Sequence, residues 1–477
     1  MKKNAQFTWK RTAVLLSLSA ILASGFGMTA MADDGFTAET LILTPADTTA
    51  SLNLNWYCNA NETGTSQAWF QTDGQSPIVV NAVKAGASVG KLSCKATVSG
   101  LSAGKVYRYW ISNDNGETWS KEYTYQVPAE GAFSFAFVGD PQLNNGQQDK
   151  SSAQFSADRT TKQGWADTLS QIEQHDVDFI ASAGDQVDTT KEGKETEYVD
   201  FTDPSQMQKY AFAASVGNHD RHTPFLYHYN LPNIVKADSK IAEITGSSQS
   251  QAAVETTGNY YYMVNNALFV VLNDSAYPQN TEQAVPFIQL FDQTLQAAVT
   301  AHPDYQWLFV QHHKSTESAA QHVADRDIQY YVEAGFEKLM DKYKVDVVLA
   351  GHDHVYVRSY AMYNSQRVSD DSSSLVNPQG TIYLTCNTGS GLKYYNIFDS
   401  EKIYVKDNDA YPYLANGMTG SQEYLKGVYP MGTNVAVQNK IPGYTIVTVD
   451  GGNVTMTTYS TYGQGPSTVL DKVTISK

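Results

Sequence analysis

Positive charge is in short supply. The 477 residues carry 33 Lys and Arg against 49 Asp and Glu, a formal net charge of −16. That balance argues against a general binder of nucleic acid or anionic membrane, though not against one cationic pocket. Long apolar runs are also missing. After residues 13–24 (AVLLSLSAILAS) no stretch reaches the roughly 20 residues a membrane span needs, and no Cys stands at residue 33, just past the run's small-residue end, to take a lipid. Cysteine is rare, with only Cys58, Cys94 and Cys386. Repeats and low-complexity tracts are absent. Charged residues make up 17% against 42% hydrophobic, which excludes global disorder and leaves apolar material for a sizeable core.

What is present begins with a leader. Lys2, Lys3, Lys10 and Arg11 precede the apolar run, and Ala30-Met31-Ala32 supplies small residues before Asp33. This is a secretory signal pattern over 1–32, and it predicts an exported chain: secreted, periplasmic or held at the cell surface. An exported chain can keep disulfides, so a Cys58–Cys94 bridge is expected, with buried thiols as the alternative. Cys386 ends an apolar run and reads as core.

Residues 36–128 read as all-β, in short alternating runs (SLNLNWYC, QAWFQ, VYRYWIS) broken by turn residues. Val98-Ser99-Gly100-Leu101 through Tyr109 resembles the corner of a fibronectin type III sandwich, where a Leu plugs the core and a Tyr closes the turn. Pro128-Ala129-Glu130-Gly131 marks a boundary. From 131 to 477 the rhythm becomes α/β. Apolar strands at 133–138, 177–183, 211–216, 268–272, 307–311 and 345–350 alternate with helical patterns, and a C-terminal β hairpin turns on Asp450-Gly451-Gly452.

Nearly every one of these strands runs into a polar cluster: Gly139-Asp140-Pro141-Gln142, Gly184-Asp185-Gln186-Val187-Asp188, Gly217-Asn218-His219-Asp220, His312-His313 and Gly351-His352-Asp353-His354. Loops after strand C-termini of an α/β sheet converge on one crevice. Carboxylates, an amide and imidazoles without thiolate suit Mn, Fe or Zn. Two such ions about 3.5–4 Å apart suit phosphate-ester hydrolysis by in-line displacement.

The ordered motifs GD, GD, GNHD, H and GHDH resemble the calcineurin-like metallophosphoesterases. The N-terminal sandwich, the Tyr356-x-Arg358-Ser359 segment and the terminal hairpin are similar to the purple acid phosphatases. The resemblance implies a four-layer α/β/β/α sandwich and two divalent metal ions. Asp140 and His354 would bind the first ion and Asp185 would bridge both. Asn218, His312 and His352 would bind the second, and Gln142 is a further candidate through its carbonyl oxygen. His219 would face the substrate phosphate beside Asn218, with Asp220 orienting its ring; His322 is a further substrate-contact candidate. His313 should point away from His312 and reads as supporting structure. Asp188 stands where the purple enzymes carry a metal-binding Tyr, which removes the ferric site. A neutral oxygen from Gln142 would favour Mn²⁺ or Fe²⁺ over Zn²⁺. Arg358 could pack on the sheet edge or hold a carboxylate.

The resulting expectation is an exported dinuclear phosphoesterase that hydrolyses small-molecule phosphate monoesters through a metal-bound hydroxide. A phosphodiesterase or nucleotide pyrophosphatase with the same centre is the alternative. A surface-binding protein that uses the metal domain as scaffold is the second.

Overall fold

Alternating strands need a partner surface for their apolar side, and here two large sheets supply it to each other. The computed structural model of the protein describes residues 35–477, apart from 88–89, 145–159, 190–194, 238–240, 242, 244–245, 392, 398–431 and 464. The expected leader lies outside the described residues.

The larger sheet has eleven strands. Its centre is parallel, with Phe133–Val138, Phe179–Ser182 and Ala211–Ala214 side by side. The hairpin Gly443–Asp450 and Asn453–Ser460, followed by Thr468–Ser476, extends one edge. At the other edge Ala211–Ala214 pairs in parallel with Glu39–Pro45, Leu43 lying opposite Ala211. One sheet therefore runs from the N-terminal β region into the α/β region. A four-stranded sheet (Ile78–Asn81, Gln67–Gln71, Val106–Ser112, Tyr123–Gln126) covers the N-terminal part. Between them Phe70 stacks on Tyr109 at 5.0 Å, Leu101 is buried, and the Tyr107 hydroxyl accepts from the Ser102 N–H.

The second sheet of the α/β region has eight strands, including the parallel set Ala267–Val271, Trp307–Lys314 and Val347–Gly351. The sheets meet through aromatics. Phe135 contacts Phe269 and Phe309 edge-on at 5.2 and 5.6 Å, and Phe179 meets Tyr262 at 6.0 Å. Full burial of such side chains contributes about 1.5–3 kcal/mol each. Helices Thr281–Ala301, Arg326–Ala334 and Phe336–Tyr343 bury Phe287, Phe291, Tyr331 and Phe336 on the outer face of the eight-stranded sheet. Over the other sheet lies Thr161–Ile172, started by a capping box between Thr160 and Gln163. Its Trp165 stacks on Phe201 and meets Phe212 edge-on. The layering is helix, sheet, sheet, helix. No described helix is long and apolar enough to cross a membrane.

Cys58 and Cys94 lie within 3.2 Å of each other as buried free thiols, not as the expected bridge. The register explains this. Cys94 lies opposite Trp56 and Cys58 opposite Leu92, so the two cysteines are diagonal neighbours. Such Cα atoms stand roughly 7–8 Å apart, beyond the usual disulfide range of about 4.4–6.8 Å.

Candidate metal centre

The first three motif strands are parallel in the larger sheet and the last two in the smaller, so their C-terminal loops can face each other across the core. Those loops are drawn tight. A Cβ on Gly217 would stand 2.0 Å from Asp185 Oδ1, and one on Gly351 would stand 2.4 Å from Asp140 Oδ2. Only glycine fits there. Asp140, Gln142, Asp185, His352 and His354 all adopt positive φ. Left-handed backbone at five non-glycine residues of one locus is strain that the surrounding structure must hold.

Within this crevice both Asp140 carboxylate oxygens accept from the His352 N–H at 3.0 Å, and His354 Nε2 stands 3.4 Å from Asp140 Oδ1. Asp185 Oδ1 accepts from the His219 N–H at 2.8 Å, and Oδ2 accepts from Gln142 Nε2 at 2.9 Å. Gln142 therefore presents its amide nitrogen, and not the expected carbonyl oxygen, to the Asp185 carboxylate. Asn218 Oδ1 lies 2.9 Å from His313 Nε2.

His313, not His312, enters the site. Along Trp307–Lys314 side chains alternate: Trp307 and Phe309 face the core between the sheets, whereas Leu308 and Val310 face the helices. Gln311 continues the inner face and donates to the Ser182 and Ala213 carbonyls of the opposite sheet. His313 shares that parity. His312 falls on the helix side, where its ring packs 4.7 Å from Phe336 and its Nδ1 bonds Asp274 Oδ2 at 2.8 Å. The polar pair Gln311 and His313 on one face was the signal for the correct parity.

Asp220 does not orient His219 either. It is buried, and its Oδ2 accepts from the backbone N–H groups of Asp185 (2.6 Å) and Gly217 (2.9 Å), so it ties two motif loops together. His219 Nδ1 instead bonds the Asp188 backbone carbonyl at 2.6 Å, with Asp188 Oδ1 3.6 Å away. His322 stands at the rim, its ring 4.5 Å from His352, where Tyr395 meets it edge-on at 4.4 Å. The sequence reading passed over Asp274. Its carboxylate also accepts from the N–H groups of His313 (3.1 Å) and Lys314 (3.0 Å). A lone Asp after an apolar strand carries no motif that would have exposed it.

The donor set fits metal ions. A carbonyl only accepts, so the contact of His313 Nδ1 with the Ala183 carbonyl (2.8 Å) puts the ring hydrogen there. His354 Nδ1 is fixed in the same way by the Lys393 carbonyl (2.8 Å). In each ring that turns Nε2 into the site. His313 Nε2 faces the acceptors Asp185 Oδ2 at 3.3 Å and Asn218 Oδ1, with His352 Nδ1 at 3.1 Å. Acceptors gathered round one ring nitrogen call for positive charge, which a proton supplies there and a metal ion would supply in its place. One atom each of Asp185, His313 and His352 lies within 4.8 Å of the others.

The electrostatics agree. Burial opposes charge on His313, yet Asp185, Asp140 and Asp274 lift its imidazole to about 10. Burial would raise the Asp185 carboxyl, but His313 and His219 hold it well below the usual carboxylate range. Burial, joined by His313 and His322, drives His352 well below the usual imidazole range.

Residues 133–356 match the family model described as calcineurin-like phosphoesterase. Among solved structures, the fold is similar to purple acid phosphatase PPD1 from yellow lupin (Lupinus luteus) seeds. The TM-score is 0.63 at 15% identity, covering 92% of this chain and 74% of that one. That likeness is one of fold. The calcineurin-like phosphoesterase YfkN from Bacillus subtilis aligns over 72% of this chain and 90% of its own, at 11% identity and a TM-score of 0.33, too low to add weight. No curated protein matches the chain in sequence.

Proposed function

Starting from a chain whose residues 133–356 form a calcineurin-like phosphoesterase domain, we propose that it hydrolyses small phosphate monoesters at a centre of two divalent cations. The observation that carries this reading is His313 Nε2, turned into the site and ringed by Asp185, Asn218 and His352. Asp140 and His354 would hold one cation, Asn218, His313 and His352 the other, and Asp185 both. Bound there, the pair would neutralise phosphoryl charge and supply a nucleophile at neutral pH.

The chain's own groups do the rest. His219 keeps its Nδ1 hydrogen on the Asp188 carbonyl, so Nε2 is the atom that can pass a proton to the leaving oxygen. Gln142, through its amide nitrogen, fixes the rotation of the Asp185 carboxylate. Asp220 and Asp274 hold the loops that carry these ligands. The basic and apolar leader over 1–32 supports export.

Turnover of p-nitrophenyl phosphate tests the reading. Wild type supplied with Mn²⁺, Fe²⁺ or Zn²⁺ is expected to cleave it faster than its bis ester. Asp185→Ala should lower the rate on the order of 10²-fold or more. Equal rates in the two proteins would remove the enzymatic reading, and faster cleavage of the bis ester would make it a diesterase.

A further inference from the structure

We propose that the mouth of this site holds an additional divalent-cation site formed by His322, Asp325 and His352. It goes beyond the two-cation reading and shares only His352 with it. One ligand atom from each of the three residues lies within 4.8 Å of the other two. Two imidazoles and a carboxylate are the donors of a three-ligand zinc site with positions left for water.

The local fold sets these groups in place. His322 lies in the 3₁₀ turn Gln321–Ala324, and Asp325 follows as the residue that starts the helix Arg326–Ala334. Spacing of three residues on such a turn aligns side chains, and His322 Nδ1 lies 2.7 Å from Asp325 Oδ2. Asp at a helix start ordinarily accepts from the first-turn N–H groups, a bond worth about 1 kcal/mol. Asp325 makes no such cap. Its carboxylate turns to the imidazole instead.

The turn is also registered against the third ligand. The His322 N–H donates to Asp353 Oδ1 at 2.9 Å, and Asp353 sits in the chain between His352 and His354. This holds the His322 and His352 rings 4.5 Å apart, tilted by 40°. His352 Nδ1 is turned toward His313 at 3.1 Å; the other ring nitrogen can serve the outer cation, and with both cations bound the ring gives up its remaining N–H proton to solvent. Access is open, since the Asp325 side chain is 47% exposed while that of His322 is 19% exposed. The Asp325–His322 hydrogen bond accounts for the forgone cap; the third donor, His352, is what a surface pair does not supply.

Zinc counting on the full-length protein tests the proposal. Wild type, Asp325→Ala, His322→Gln and Asp185→Ala would be dialysed against buffered Zn²⁺, and bound metal read by mass spectrometry. Asp325→Ala and His322→Gln are each expected to bind one equivalent less than wild type, with circular dichroism unchanged. Asp185→Ala should lose zinc but keep the equivalent that depends on Asp325. If wild type binds one zinc and Asp325→Ala binds none, the outer site stands and the two-cation reading falls. Equal stoichiometry in wild type and Asp325→Ala would overturn the outer site, and so would complete loss of zinc in Asp185→Ala.

Discussion

His312 and His313 are neighbours with opposite tasks, and substitution should separate them. His313→Ala removes the Nε2 beside Asp185, so bound metal and turnover should both fall on the order of 10²-fold. His312→Ala deprives the buried Asp274 carboxylate of one donor but keeps the backbone donors of His313 and Lys314. It should cost about 1–3 kcal/mol in unfolding free energy with the metal content kept. Metal analysis beside a denaturation curve reads both effects; loss of metal in His312→Ala alone would reverse the assignment. Asp188 and Asp220 divide in the same way. Asp188→Ala keeps the backbone carbonyl that holds His219, so turnover should change little. Asp220→Ala frees two motif loops and should lower both stability and turnover. The candidate ligand types were legible in the sequence because five glycine-led or histidine clusters recur in order at strand ends, and the structure brings them to one crevice. Which histidine faces inward was a matter of strand parity. The residues that merely hold site histidines in place, Asp188 by its carbonyl and Asp274 by its carboxylate, have no sequence signature.

At the scale of elements, a largely buried ion pair helps tie the two sheets together. Arg358, on the strand Tyr356–Tyr363 of the eight-stranded sheet, donates to Asp471 through Nε at 2.6 Å. Asp471 lies on Thr468–Ser476 of the eleven-stranded sheet and also accepts from the Tyr356 hydroxyl at 2.7 Å. Breaking a buried pair by removing one partner costs about 3–5 kcal/mol, so Arg358→Met should destabilise the fold by that order. Burial would raise the Asp471 carboxyl, but Arg358 outweighs it and holds the group below its usual range. A depressed carboxylate stabilises the fold above its unfolded value of about 3.9, and that stability is lost as pH falls through the folded value. Wild type should therefore lose stability below about pH 4 more steeply than Arg358→Met. Thermal midpoints across that range check this, and parallel curves would contradict it. Here the sequence left two uses open for Arg358, packing on the sheet edge or holding a carboxylate, and the structure gives it the carboxylate of Asp471.

The whole molecule is built on a sheet that runs through both halves of the chain. Glu39–Pro45 covers the edge of Ala211–Ala214, and the Asn230 side chain donates to the Ala96 carbonyl across the same junction. Heating should give one cooperative transition. A chain truncated to 131–477 should expose that edge and aggregate. Two separate calorimetric transitions, or a soluble folded 131–477, would show the halves to be independent. The sequence made the change of rhythm at residue 131 plain, along with the helix, sheet, sheet, helix layering its resemblance implied. It did not show Leu43 beside Ala211, because pairing between strands so far apart leaves no local pattern in either one. The central claim is that Asp140, Asp185, Asn218, His313, His352 and His354 together cage a pair of cations. Anomalous diffraction from crystals grown with Mn²⁺ tests it most directly. Two peaks about 3.5–4 Å apart among those six side chains are expected. A map with no paired peaks there, from crystals that turn over a phosphate ester, would contradict it.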